Sequence, residues 1–216
     1  MSAPETPAIT MDAARAHGSS VQRLVGRHCV ATLILGDSET MELPTADAVI
    51  TDPPYGQDFG NGVMNPETRK RWNGESMNRG AIYGNDKPFE PARWLAYPIV
   101  AMWGASYYMS KLPTGKTLVW DKRCHPDGDK MFGASIEVGW CNRGNGEAEI
   151  KRLLHGGVVN ADSEKGNNAV RLHPTQKPVA LMMWTIEQAG VPKGATVCDP
   201  YMGSGTTGIA CIRLGM

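Results

Sequence analysis

Residues 195–207 read Ala-Thr-Val-Cys-Asp-Pro-Tyr-Met-Gly-Ser-Gly-Thr-Thr. A short apolar run ends in Asp199, a turn follows with glycines at 203 and 205, and a helix is predicted from about Thr206 to Leu214. Glycine admits positive φ and lets a ligand come close to the backbone. The amide end of the helix behind it favours a carboxylate or a phosphate. A second stretch repeats the pattern. Asp47-Ala48-Val49-Ile50-Thr51 runs into Asp52-Pro53-Pro54-Tyr55. Both runs read as buried parallel strands. Ligands of open α/β sheets bind beyond the carboxyl ends of such strands. The two clusters are therefore expected on one rim.

The rest of the chain fits that class. Strands are predicted at Val30–Leu35, Pro98–Trp103, Thr117–Trp120 and Ser135–Cys141, besides those ending in Asp52 and Asp199. Helices are predicted at Ser38–Leu43 with Ser38 as N-cap, at Ser106–Leu112, and at Val179–Gln188, which Gly190 and Pro192 stop. Strands alternating with helices predict an open three-layer α/β/α sandwich with a mostly parallel twisted sheet. Residues 1–27, rich in Ala, Pro and Thr at their start, are expected as a flexible tail, and 28–216 as the folded domain. Two polar segments, about 56–90 and 142–171, carry little periodicity.

Composition narrows the function classes. A chain of 216 residues with 41% apolar side chains suffices for one domain and a full core. No run of eighteen apolar residues and no basic-then-apolar leader is present, so neither a membrane span nor a secretory signal is expected. Five cysteines form no Cys-x-x-Cys pair, which argues against structural disulfides and zinc. Cys124 beside His125 fits a loop better than a metal site, since no second ligand pair follows. These features predict a cytoplasmic protein. Basic and acidic side chains balance at 22 each, so charge alone would not hold nucleic acid. Local patches remain: Arg69, Lys70, Arg71 and Arg79 with Trp72, and a looser set of Arg143, Lys151, Arg152, Lys165 and Arg171. Solvated loops explain each patch about equally well.

The Asp52-Pro53-Pro54-Tyr55 cluster suits an exocyclic amine on a planar ring. The prolines fix the backbone and remove its donors. The Asp52 carboxylate and the Pro53 carbonyl can then accept hydrogen bonds from an NH2 group and turn its lone pair toward an electrophile. Tyr55 offers a face for an extruded base, stacking being worth about 1–3 kcal/mol. A Pro-Pro turn capped by Asp is the structural alternative; the position directly after a buried strand weighs against it. Read as a bare pattern, Gly203-x-Gly205-x-x-Gly208 matches a dinucleotide fingerprint. That fingerprint needs an acidic ribose ligand about 20 residues further on, and the chain ends at Met216. A nicotinamide oxidoreductase is therefore the weaker reading.

Asp52-Pro53-Pro54-Tyr55, then His173-Pro174-Thr175-Gln176-Lys177-Pro178, then Asp199 to Thr207 resembles the motif order of the β-class S-adenosylmethionine-dependent DNA amino-methyltransferases, in which the catalytic motif precedes the cofactor motif. The resemblance runs from about Val30 to the C-terminus and is nearest to bacterial and phage-type adenine enzymes. It implies a circularly permuted Rossmann-like methyltransferase fold, S-adenosylmethionine as cofactor and double-stranded DNA as partner. It leaves a homodimer and a cognate restriction endonuclease open. It implies that Asp52, Pro53, Pro54 and Tyr55 hold the target base. Asp199, Pro200, Tyr201, Gly203, Ser204, Gly205 and Thr206 would form the cofactor turn, and His173, Thr175 and Lys177 would line the cofactor's methionine end. Asp37 would reach its adenine side. The expected product is N6-methyladenine, because Asp rather than Ser opens the catalytic motif; N4 of cytosine is the alternative. Arg69, Lys70 and Arg71 are expected on DNA phosphates, in a bacterial or phage-infected host cell. Trp103-Gly104-Ala105 and Trp120-Asp121-Lys122 match family segments of no definite role, and both tryptophans are expected in the core. Two departures stand out. Tyr201 replaces the usual Phe. The ribose-binding strand that family members carry after the last helix is not in the sequence, so a C-terminal truncation, and with it a non-catalytic DNA-binding remnant, is a further expectation.

Overall fold

A computed structural model describes residues 10–16, 19–25, 29–56, 84–123, 134–154 and 176–216. Six strands form the central sheet. They are β4 (Ala48–Thr51), β5 (Ile99–Trp103), β6 (Lys116–Asp121), β7 (Ile136–Cys141), β8 (Ala148–Arg152) and β9 (Val197–Cys198). Their spatial order is β8-β6-β7-β5-β4-β9. β4 pairs parallel with both β5 and β9, and β6 with β8. Only β7 runs against its neighbours β5 and β6. This is the expected mostly parallel sheet, with one reversed strand that the sequence pattern does not flag.

The strands alternate sides, as a period of two requires. Ala48, Ile50, Ile99, Ala101 and Trp103 enter one core layer, and Val49, Val100 and Met102 the other. The first layer is closed by α1 (Val179–Gln188) and α2 (Thr206–Leu214). α1 buries Val179, Leu181, Met182, Trp184, Thr185 and Ile186, so it is apolar on most of its circumference, as a fully covered helix must be. Thr185 Oγ1 accepts from Trp103 Nε1 at 3.1 Å and donates to the Leu181 carbonyl at 2.9 Å. These bonds tie helix to sheet. The second layer is closed by Phe89, Trp94 and Tyr108 from short 3-10 turns at Trp94–Ala96, Ala105–Tyr107 and Met109–Lys111 and their flanks. Trp103 and Trp120 are fully buried, as expected, and meet edge to face at 6.4 Å.

Four local expectations fail. Residues 38–43 form a turn and no helix. The Asp37 side chain takes the amide of Glu39 at 3.0 Å and its carbonyl takes those of Thr40 and Met41, so a local Asp-centred turn wins over helix propagation. Ser106–Leu112 splits into two 3-10 turns, with Pro113 stopping any further winding. The polar segment 142–171 contains β8, whose exposed side chains hide the strand signal. Finally, the segment expected as a tail includes β1 (Thr10–Ala16) and β2 (Ser19–Val25). These pair antiparallel with each other and with β3 (Val30–Leu35) in a separate three-stranded sheet. Backbone pairing supplies there what side-chain alternation does not announce.

Candidate active site

β4 and β9 lie side by side in register, Ala48 opposite Val197 and Val49 opposite Cys198. Their carboxyl ends therefore deliver Asp52 and Asp199 to one rim. Thr51, the last residue of β4, donates from Oγ1 to Asp199 Oδ1 at 2.6 Å and links the two corners directly.

The Asp52 corner is a charge cluster. Asp52 Oδ2 lies 2.6 Å from Lys177 Nζ, and Oδ1 accepts from the Tyr55 hydroxyl. Lys177 also reaches the Tyr55 oxygen at 3.2 Å and forms an ion pair with Glu137 Oε2 at 3.1 Å. Glu137 Oε1 in turn takes Lys122, which lies over the Trp120 ring at 5.1 Å. Burial raises the Asp52 carboxyl above its ordinary value against the pull of Lys177. Burial would raise Glu137 too, but Lys177 and Lys122 outweigh it and hold that carboxyl at about 2. For Lys177, Asp52 and Glu137 outweigh desolvation and raise the ammonium well above the usual lysine value. Burial and the neighbouring Asp52 likewise push the Tyr55 phenol up, so it stays a donor.

Tyr55 is held from three sides. Its amide and that of Gly56 donate to Asn85 Oδ1, each at 3.1 Å. Its ring stacks on Tyr107 with centroids 4.8 Å apart and planes 20° apart. Beneath it lies Gly104 at φ +75°, where a Cβ would sit 1.9 Å from a ring carbon. Pro53 is buried and Pro54 half-buried.

The Asp199 corner has no cation on its carboxylate among the bonds described. Oδ1 accepts from Thr51 Oγ1 and, at 3.2 Å, from the Tyr201 amide; Oδ2 accepts from Thr207 Oγ1 at 2.5 Å. Burial raises this carboxyl to about 6, the hydroxyls of Thr207 and Thr51 pulling the other way. Gly203 and Gly205 take φ of +49° and +78°, and Gly205 caps α2. A Cβ at either glycine would meet nothing closer than 3.7 Å, so the turn opens outward. Tyr201 points into the second core layer, edge-on to Phe89 and Trp94, and its hydroxyl donates to Glu39. Pro200 and Ser204 are half-buried and Thr206 is buried.

The sequence-predicted set thus divides. Asp52, Pro53, Pro54 and Tyr55 form one corner, and Asp199, Pro200, Tyr201, Gly203, Ser204, Gly205 and Thr206 the other. Lys177, expected to line the cofactor's methionine end, bonds to Asp52. Asp37 Oδ1 accepts from the Glu39 amide within its own turn, and Glu39, two residues on, touches Tyr201. His173, Thr175, Arg69, Lys70 and Arg71 fall outside the described residues. Sequence reasoning missed Glu137, Lys122, Thr51, Tyr107 and Thr207. A signal existed for Glu137, a carboxylate inside an otherwise apolar strand, because such residues are seldom buried unpaired.

The sequence pattern of the N6_N4_Mtase family, described as DNA methylase, matches residues 114–216. That span includes Lys177 and the Asp199 turn and leaves out Asp52. The type II methyltransferase M2.MboI of Moraxella bovis is 24% identical over 200 residues, covering 78% of this chain and 72% of the relative. Among solved structures, an M1.HpyAVI–SAM complex is similar at 20% identity, with 79% of this chain and 78% of that chain covered and a TM-score of 0.38. M1.HpyAVI alone gives 22% identity, 79% and 77% coverage and a TM-score of 0.33. The family pattern thus falls on the C-terminal part of the chain, residues 114–216.

Proposed function

We propose that this protein transfers a methyl group from S-adenosylmethionine to the N6 amino group of adenine in DNA, on a base turned out of the duplex. The observation that carries the reading is the shared rim: Asp52 and Asp199 end neighbouring parallel strands, and Thr51 bridges them at 2.6 Å.

The residues fit both substrates. Each Asp52 oxygen has one partner in Lys177 or Tyr55 and retains a lone pair, so the carboxylate can accept an amine N–H. The Pro53 carbonyl is the second acceptor. Together they would orient the nitrogen lone pair; the new N–C bond would replace the sulfonium S–C bond, leaving a neutral thioether, and the surplus proton would pass to the Asp52 carboxylate. Tyr55, backed by Tyr107, is the stacking platform. The outward-opening glycine turn and the amide end of the nine-residue α2 suit the carboxylate of an amino-acid moiety. S-adenosylmethionine supplies an electrophilic methyl group on a sulfonium sulfur. Asp52, Pro53 and Tyr55 bring the amine to it and exclude water. The adenine assignment rests on Asp rather than Ser at position 52, with N4 of cytosine as the alternative.

The polar segments 56–90 and 142–171 would approach the DNA, with Arg69, Lys70 and Arg71 on phosphates. Replacing all three should lower the slope of log affinity against log salt by about 3; an unchanged slope removes these residues from the interface. The decisive assay supplies methyl-tritiated S-adenosylmethionine and unmethylated DNA, followed by nucleoside analysis. Tritium is expected in N6-methyladenine. Label in N4-methylcytosine overturns the base assignment, and no incorporation overturns the activity.

A further inference from the structure

Lys177 stands at the start of α1, just before Pro178, and its side chain is only 7% exposed. An ammonium group has three donors. Here three acceptors surround it: Asp52 Oδ2 at 2.6 Å, Glu137 Oε2 at 3.1 Å and the Tyr55 oxygen at 3.2 Å. Two of its donors are engaged by Asp52 and Tyr55, and Glu137 Oε2 lies at ion-pair distance. The lysine of the His173–Pro178 segment is therefore turned toward the Asp52 corner.

We propose that Lys177 is a positioning residue for methyl transfer: it fixes the direction of the Asp52 carboxylate and keeps it an anion, itself held by the Glu137–Lys122 pair. This rests on the reading of Asp52 as the amine acceptor. The four groups form a set of two carboxylates and two ammoniums with no net charge. Asp52 and Glu137 share Lys177 between them, and Lys122 holds the outer oxygen of Glu137. Without Lys177, two half-buried carboxylates would face each other across a desolvated gap, and one would take up a proton. A protonated Asp52 has lost one acceptor oxygen, and its O–H would compete for the amine. The other groups near Asp52 are the Tyr55 and Tyr108 phenols, both kept neutral by burial, and Asp199 behind Thr51. None of them can replace the ammonium.

The test combines Lys177→Met, Lys177→Arg and Glu137→Gln, with kcat and the KM for S-adenosylmethionine measured from pH 5 to 10. In Lys177→Met the acid limb of kcat should move up by at least about 1 pH unit, so that turnover falls about tenfold or more at pH values below the limb and recovers in alkali. KM for S-adenosylmethionine should stay within about twofold, since uniform binding is untouched. Lys177→Arg should keep the limb near its wild-type position. Glu137→Gln should move it down, because a like charge beside Asp52 is gone; this variant decides the matter if Lys177→Met does not fold. A raised KM with an unmoved acid limb would overturn the proposal and return Lys177 to the cofactor. The proposal is separable from the reaction assigned to the site. The carboxyl carbon resonance of Asp52, identified by its loss in Asp52→Asn, should titrate at least about 1 unit higher in Lys177→Met whether or not the protein turns over. An unshifted resonance refutes the role of Lys177, whereas a shifted one without methyl transfer refutes only the assigned reaction.

Discussion

The two corners of the rim begin from the same local pattern and end as different chemical environments. Each is an apolar strand followed by Asp-Pro and an aromatic within the next two residues. Asp52 meets a buried lysine, a phenol and, through the lysine, a second ion pair. Asp199 meets two threonine hydroxyls and a backbone amide. Hydroxyls and amides satisfy a carboxylate's lone pairs without cancelling its charge, so burial wins at Asp199 and raises it to about 6. At Asp52 a full positive charge sits at contact distance and opposes the same burial. One carboxylate is fastened as a brace between β4, β9 and α2, while the other is bound by a lysine and a phenol from across the rim. What lies across the fold, not the tetrapeptide, separates their roles.

Substitutions should divide along that line. Asp52→Ala should lower methyl transfer by about 10^3-fold or more, with an unchanged circular dichroism spectrum, because Lys177 keeps Glu137 as its counter-charge. Near-normal turnover in that variant would end the distinction between the corners. Asp199 should reveal itself in stability. Its folded value of about 6 lies above the ordinary carboxyl value of 3.8, so the native state binds the proton more tightly. Its contribution is therefore most favourable below pH 4 and declines as pH rises through 6, by about 3 kcal/mol in all. Urea titrations of Asp199→Asn should lack that decline; an identical pH dependence in both proteins would remove Asp199 as its source.

Gly104→Ala should cost about 2 kcal/mol in chemical denaturation, since the backbone there has positive φ and the new methyl would overlap the Tyr55 ring. Turnover should fall with it, because Tyr55 would leave its stack on Tyr107; a variant as active as wild type would show that the ring has room to spare. Thr51→Val should have the smallest effect, about 1 kcal/mol, from loss of the bond to Asp199. Its KM for S-adenosylmethionine should change more than its kcat, and the reverse would place Thr51 with the Asp52 corner.

Much of this was legible from local pattern. The helices at Val179–Gln188 and Thr206–Leu214 appear where their apolar periodicity, Gly190 and the glycine turn put them. The strands leading to Asp52 and Asp199 appear as buried runs ending in polar loops should. Legibility failed where the deciding partner is not a sequence neighbour. Nothing near Ser38 announces that Asp37 will close a turn on itself. Nothing in the mixed residues 10–25 announces a backbone ladder to β3.

The sequence by itself determined the α/β class of the molecule and the place of its two Asp-Pro corners, because strand ends, proline rigidity and glycine freedom are properties of a few consecutive residues. Only the tertiary structure decided the strand order, the reversal of β7 and the pairing of Lys177 with Asp52 and Glu137, residues 125 positions apart in the first case. The energy of an ion pair depends on distance and on the water around it, and both are set when remote segments pack together.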